Sequence, residues 1–418
     1  MKALQASCTN RDFNYGQNSP VNGLDAKCAL CVIVLRVFEN WINYHNKDAT
    51  QYVLREFCGH FDGAIKPTCE AFVHYAGPSI IHAIINKVTP DVTCLKIGFC
   101  TNPKCRILKQ KMEALDMEIQ PDTKPAPWDW LVHIFKDKFG DGHLPPFDLD
   151  NDTFGDISTF RGYHWRGADC NELNKNFYPG RKTGEKVLDQ DCNGIFGVTA
   201  KGKTYEEEFC SQSKRFGVAV IGDSAGAHFS IPEKYFNASM INGTTYHDLL
   251  QRAADELDIP NESGYTGNTP THGYTRHSFY KYAREWNLCN HNDYQNIAVN
   301  GGDSGNTWGN IHALTRKQKD DYPLIMFLEL VGNDVCAKSF DGMTTEAHFK
   351  TNILKLLNYL DSTVPAGSHL MILGLADGEL LYDNLHDWTH PLNVTYADVY
   401  NFLNCLKISP CWGWLNTN

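Results

Sequence analysis

Long apolar runs are missing from this chain of 418 residues. None reaches the ~18 residues that a membrane-crossing helix requires. The first residues, Met1 to Thr9, lack the apolar core of a secretory leader, so a removed leader or a fragment is expected. A basic excess is also missing, since the net charge is −11. A phosphate-binding protein needs a basic face, so nucleic acid is not expected as a partner. Cysteine, by contrast, is plentiful, with 15 in the chain. Sequons at Asn151, Asn237, Asn242, Asn261 and Asn393 accompany them. Together they point to an oxidising compartment, and a secreted or lysosomal/vesicular location is expected. The odd cysteine count leaves at least one thiol free or paired outside the chain.

The first cysteines are spread along helical patterns. Cys28 and Cys31 open the apolar stretch Ala29 to Leu35, Cys58 and Cys69 lie in the middle, and Cys94 and Cys100 close the segment. Between them Phe38, Trp41, Ile42, Phe72, Val73, Ile80, Ile81 and Ile84 recur at helical spacing. The pair Cys28 and Cys31 is not matched by a second close pair, which argues against zinc. The frame, residues 26–104, resembles a saposin B-like lipid-binding domain. The resemblance implies an all-α fold and the pairs Cys28–Cys100, Cys31–Cys94 and Cys58–Cys69. It also implies amphipathic helices that open around lipid at a membrane or micelle surface. A disulfide-tied bundle that binds nothing is the plainer alternative. Residues 105–147 then read as a linker or processing segment, with a Pro-rich stretch from Gln120 to Pro127 and a short helix near Trp128 to Phe139. Cys105 is left over at its start, and a bond to Cys405 or Cys411 is expected.

Acidic residues follow at alternate positions: Asp148, Asp150 and Asp152, then Asp169 and Asn171, then Asp189, Asp191 and Asn193. Hard oxygen donors at this spacing, with Gly194 for the turn, suit Ca²⁺. No Glu stands at the twelfth position of either Asp-x-Asp loop, so these are not standard EF-hands.

The run Phe216 to Ile221 reads as a buried strand leading into Gly222-Asp223-Ser224-Ala225-Gly226. A serine on a tight turn at a strand end is where hydrolases place a nucleophile. Two further apolar runs, Tyr322 to Val331 and His369 to Leu375, end in Gly332-Asn333-Asp334 and Ala376-Asp377-Gly378, with a helical stretch from His348 to Leu360 between them. This is the pattern of an α/β sheet with its site at the carboxyl strand ends. Gly222-Asp223-Ser224, the glycines of Asn300-Gly301-Gly302, and Gly332-Asn333-Asp334 resemble the first three blocks of the GDSL, or SGNH, esterases. The resemblance implies a three-layer, flavodoxin-like parallel sheet over residues 148–418. It makes Ser224 the nucleophile, with the Gly301 N–H (Gly302 being its neighbour) and the Asn333 side chain completing an oxyanion hole. Ala225 stands where the family has leucine.

Longer strings narrow the likeness: Thr159 to Gly167, Gly222 to Phe229 and Cys289 to Asn296. They are similar to a branch of this family that joins a saposin-like domain to the esterase through a processed linker. That branch binds calcium and releases secondary, acyloxyacyl-linked fatty chains from lipid A of bacterial lipopolysaccharide, and it also acts on other acylated lipids such as phospholipids. The GDSL family also supplies a late Asp-x-x-His block for its base, and no such pattern stands near the end of this chain. Asp383-x-x-His386 has the spacing but follows the Leu373 strand directly. A weakly active or non-catalytic lipid carrier is therefore the alternative, and His386 is the local base candidate. An α/β-hydrolase elbow also fits Gly222-x-Ser224-x-Gly226, but neither the preceding strand–helix units nor a His-Gly-Gly motif is present. His164, His228 and His291 read as pocket-lining or structural.

Overall fold

The computed structural model describes residues 23–63, 65–108, 143–182, 187–269, 277–337 and 340–408. The expected helix at Trp128 to Phe139, the proline-rich stretch and Cys411 lie outside these residues.

Four helices make up the first region: α1 (Gly23–Tyr44), α2 (Gln51–Cys58), α3 (Ile65–Ile85) and α4 (Pro90–Lys96). In α1, Cys28, Cys31, Leu35, Phe38, Trp41 and Ile42 recur every three or four residues, and all are buried. That stripe faces the core because 3.6 residues make one turn. Thr50 caps α2 by accepting from the Val53 N–H at 3.2 Å, and Pro90 opens α4, where its missing N–H has no helical partner to lose. The bonds Cys28–Cys100, Cys31–Cys94 and Cys58–Cys69 are all present. They join the two ends of the frame and staple its middle, and each such bond typically stabilises by about 2–4 kcal/mol.

This frame is not packed alone. Its core is continuous with Tyr235, Ile241, Tyr246, Leu392, Val399, Phe402 and Leu406. Arg36 Nε donates to the Leu392 carbonyl at 2.9 Å, and Asn40 Nδ2 donates to the same oxygen at 3.1 Å. The Phe61 and Tyr246 rings stack at 4.3 Å. Cys105 bonds Cys405, one of its two expected partners, across 300 residues of sequence.

The second region is built on a parallel sheet of β1 (Gly217–Gly222), β2 (Tyr294–Asn296), β3 (Leu324–Glu329) and β4 (His369–Leu373), in the order β2-β1-β3-β4. Side chains of β1 alternate between two packed faces, as a strand requires. Val218 and Val220 meet Tyr280, Tyr294 and Phe327 on one face. Ala219 and Ile221 meet Met326, Leu328, Leu356 and Leu360 on the other. Helices cover both sides, Phe279–Trp286 with Tyr280 and Glu346–Thr363 with Leu356 and Leu360. A central strand buried on both faces reads as an unbroken apolar run, which is how it was visible in the sequence. β3 and β4 are shorter than their runs. β3 begins after Pro323, which cannot donate to the ladder, and the long helix starts two residues earlier and ends three later than its expected stretch, with Thr345 capping its start. β4 differs: Met371, Ile372 and Leu373 are 42, 57 and 39 % exposed.

Candidate functional site

Ser224 sits where β1 ends. Asp223 is the N-cap of a one-turn helix, α5 (Ser224–Ala227). Its Oδ1 accepts from the Ala225 N–H at 3.0 Å and its Oδ2 from the Val331 N–H at 2.8 Å. The carboxylate therefore ties the nucleophile turn to the strand beside it. Gly222 cannot carry a side chain, since a Cβ would lie 1.9 Å from the Glu329 carbonyl oxygen. Ser224 itself is half-buried, and its N–H belongs to the first helical turn, which has no internal acceptor.

The second block arrives by continuation of β2. Ile297 and Val299 donate to the Val220 and Gly222 carbonyls at 2.9 and 3.1 Å. Gly302 packs against the turn, for a Cβ there would lie 3.0 Å from the Gly222 oxygen and 3.7 Å from Asp223 Cα. Its own N–H is given to the Val299 carbonyl at 2.8 Å. Gly301, exposed and with φ of 77°, is left as the glycine of the pair whose N–H can face a ligand.

The third block fastens to the second at two points. Asn333 Nδ2 donates to the Gly302 carbonyl at 3.0 Å, leaving its other hydrogen for a ligand. Asp334 accepts from the Ser304 N–H at 3.0 Å and from Ser304 Oγ at 2.7 Å. Asn352 Nδ2 closes the network on Ser304 Oγ at 3.0 Å. Ser224, Gly301 and Asn333, separated by 77 and 32 residues in sequence, are thus brought to adjacent strand ends. Asp334 and Ser304 were missed in the sequence; the Asn-Asp dipeptide was the available signal.

His386 stands apart from this group. It ends the helix α6 (Glu379–Leu385). Its Nδ1 lies 2.8 Å from the Tyr382 carbonyl, and its ring stacks on Tyr382 at 4.8 Å. Nδ1 therefore carries the proton to a backbone oxygen of its own helix rather than to Asp383. Among the described contacts of His386, none is to Ser224, Gly301 or Asn333. His228 caps α5 in the left-handed region, with Nε2 3.8 Å from a Glu262 oxygen. Burial lowers His164 and His291, and Tyr280 OH lies 3.3 Å from His291 Nδ1.

The acidic loops form a second centre. Oxygens of Asp148, Asp150 and Asp152 lie within 4.8 Å of one another. Both oxygens of Asp150 and one each of Asp152, Asp169 and Glu172 are buried without a donor. Glu172, which the sequence reading passed over because it lies off the alternate-position pattern, turns its other oxygen to the Leu149 N–H at 3.0 Å. Burial, and then the neighbouring carboxylates, push Asp152 up to about 7 and Asp169 to about 6. Hard oxygen donors without hydrogen-bond partners fit a divalent cation such as calcium. The third acidic run is arranged differently. Asp191 pairs with the Arg215 guanidinium and accepts from Asn193 Nδ2. Both oxygens of Asp189 accept loop N–H groups, from Asn193 and Gly194 at 3.0 Å each. The Asn171 side chain accepts from the Leu173 N–H at 3.3 Å. The bond Cys170–Cys192 holds the two loops side by side.

The saposin-like type B, region 2 family matches residues 67–100. The whole chain is similar to the acyloxyacyl hydrolase of Homo sapiens, at 35% identity over 452 aligned positions covering 100% of this chain and 78% of the relative. It is similar to that of Mus musculus at 35% identity, covering 94% of this chain and 74% of the relative, and to that of Oryctolagus cuniculus with the same values.

Proposed function

Because this chain belongs to the acyloxyacyl hydrolase family, we propose that it is a carboxylic ester hydrolase that releases secondary fatty chains from lipid A of lipopolysaccharide with Ser224 as nucleophile. Acyl chains of phospholipids are the same chemistry and a second substrate class. The observation that carries this reading is the junction of three sequence blocks at neighbouring strand ends, with Ser224 half-buried between them.

In acylation the Ser224 oxygen attacks the ester carbonyl. Negative charge then develops on the carbonyl oxygen. The Ser224 and Gly301 N–H groups and the second hydrogen of Asn333 Nδ2 are the donors that meet it. Donors fixed before the reaction stabilise that charge without reorganising, which is why each is worth so much in such sites. Gly302 and Asp334 hold two of these donors in place rather than touching the substrate. The attacking oxygen must lose its proton to a base within hydrogen-bond reach. The described contacts of the His386 imidazole are to Tyr382 of its own helix, and this is the observation that favours the weakly active carrier as the second reading.

Asp148, Asp150, Asp152, Asp169 and Glu172 would hold calcium. The ion would neutralise carboxylates that otherwise repel one another and so stiffen the loops packed on β2. Among the described residues no helix is long and apolar enough to cross a membrane. The helical region, with Leu30, Tyr52, Tyr75 and Ile85 exposed, is the surface proposed to meet lipid aggregates. The disulfides suit a secreted or lysosomal/vesicular site of action.

The test is fatty-acid release from lipopolysaccharide and from a short-chain ester, comparing the parent with Ser224→Ala. The variant should lose both activities and keep its melting midpoint. Retained release in the variant would reject Ser224 as the nucleophile.

A further inference from the structure

Two carboxyl groups lie buried beneath the turn that carries Ser224. Asp223 is 0 % and Glu329 1 % exposed. They come from neighbouring strands. Gly222 is opposite Glu329 in the β1–β3 register, and the Asp223 N–H donates to the Glu329 carbonyl at 3.1 Å. The Glu329 side chain reaches back under the turn. A Cβ on Gly222 would lie 3.2 Å from Glu329 Oε2, and one on Gly226 would lie 3.0 Å from the same atom. The two glycines flanking the serine therefore leave room on their inner side for the Glu329 carboxyl. Oε2 is closed to water and has no hydrogen-bond partner. The Gly226 and Asp223 N–H groups favour an ionised Glu329 carboxylate, but burial and the second negative charge beside it outweigh them.

We propose that Glu329 is a positioning residue for the nucleophile: its carboxyl is protonated, shares a single negative charge with Asp223, and holds the Gly222–Gly226 turn in the shape that presents Ser224. The inference rests on Ser224 being the nucleophile. It extends that reading to what stands behind the serine rather than what meets the substrate.

The surroundings agree. Burial, and after it the Asp223 charge, pushes Glu329 up to about 7. Burial raises Asp223 as well, with Asp334 on the loop after β3 adding to it. Tyr265, packed against Phe327 of β3, faces both carboxyls, and burial followed by their charges pushes its phenol up to about 12. Asp334 is itself raised by burial. Asp223, Tyr265 and Asp334 are acids, so none of them supplies a positive charge to Glu329.

The sign of the pH effect follows. Glu329 holds its proton more tightly in the folded chain than its ordinary value of 4.5. As pH rises, the unfolded chain loses that proton first, so stability falls between about pH 4.5 and 7 and stays at the lower level above. Glutamine at 329 keeps the shape and is neutral throughout.

The experiment measures the thermal midpoint and kcat/KM for a short-chain ester from about pH 5 to 8.5, on the full chain. Glu329→Gln should gain midpoint relative to the parent as pH rises. Its kcat/KM relative to the parent should rise about tenfold from pH 6 to 8, because a group titrating near 7 is then about one-tenth protonated in the parent. Asp223→Asn is the second variant. It removes the charge that helps hold the proton, so the midpoint fall must move to lower pH. Midpoint curves of the same shape in parent and both variants would overturn the shared proton. A folded Glu329→Gln chain whose kcat/KM curve matches the parent in shape would overturn the positioning role. A parent without esterase activity at any pH removes the nucleophile and with it that role, while the midpoint curves still report the proton.

Discussion

β1 and β4 belong to one parallel sheet and differ in almost everything that makes a strand end a good place for chemistry. Every residue of β1 is buried, and its end runs into Ser224. The turn there is held by the Val331 N–H, the Glu329 carbonyl and the close face of Gly302. β4 exposes Met371, Ile372 and Leu373. Its following loop is tied to the sheet by the Ala376 N–H on the Val331 carbonyl at 2.9 Å, and the His386 imidazole beyond it is held by its own helix. The half of the site that receives the carbonyl oxygen is therefore fixed by the sheet interior, where neighbours cannot shift independently. The β4 side, where the candidate base His386 stands, is not fixed in that way. Rigid elements with a supporting shell place reactive groups more accurately than exposed ends do.

The comparison breaks most visibly at Asn333. Asn333→Ala should lower kcat roughly 10²–10³-fold with little change in KM, the usual result of losing one oxyanion donor. His386→Ala should cost less than about 10²-fold, because a well-placed general base contributes about 10²–10⁴ and this imidazole is bound elsewhere. A loss at His386 as large as at Ser224 would mean that the β4 side is as well organised as the β1 side. Chelation with EDTA sharpens the contrast from the other direction. The carboxylate loops pack on β2, with the Asn296 N–H on the Trp165 carbonyl at 2.6 Å and a bridge between Arg166 and Gln295. Removing calcium should lower the melting midpoint by about 2–5 °C, from some 2–3 kcal/mol of binding energy. Hydrogen exchange should quicken at β2 and not at β4. An unchanged midpoint with no calcium by elemental analysis rejects the ion. A loss of stability comparable to that on calcium removal is expected from Cys105→Ser. That bond ties Tyr396–Cys405, on the β4 side, to the helical region. Its loss should cost about 2–4 kcal/mol, and after cleavage of the linker the fragments should part on electrophoresis without reductant. Fragments of the parent that also part would show that the bond is not formed.

What could be read from the sequence follows the same division. The buried strands of the sheet were visible as apolar runs because both faces are covered, and Ser224, Gly301 and Asn333 were visible because each stands at the end of one or in a short block beside it. The disulfide frame was legible from spacing once the resemblance to a saposin-like domain was drawn. Glu329 was hidden, since a single carboxylate within the apolar run Tyr322 to Val331 carries no signal of the partner it meets. Only the register opposite Gly222 shows that it points inward. Glu172 was hidden because its place among the aspartates is made by the fold. The continuity of the helical core with Tyr235, Tyr246, Leu392 and Phe402 could not be read either, because those residues lie more than a hundred positions away and carry no periodicity that names their partner. Arg215 against Asp191 is a similar case: the chain's path brings a guanidinium to Asp191 Oδ2, while its Oδ1 stays buried without a partner.

The most direct measurement is covalent labelling of the full chain with a fluorophosphonate, followed by peptide mass mapping. Such probes react only with a serine whose hydroxyl is activated. The account predicts a single adduct, on Ser224, lost in Ser224→Ala and strongly slowed in Asn333→Ala. An adduct on another serine, or none on a correctly folded chain, would contradict it.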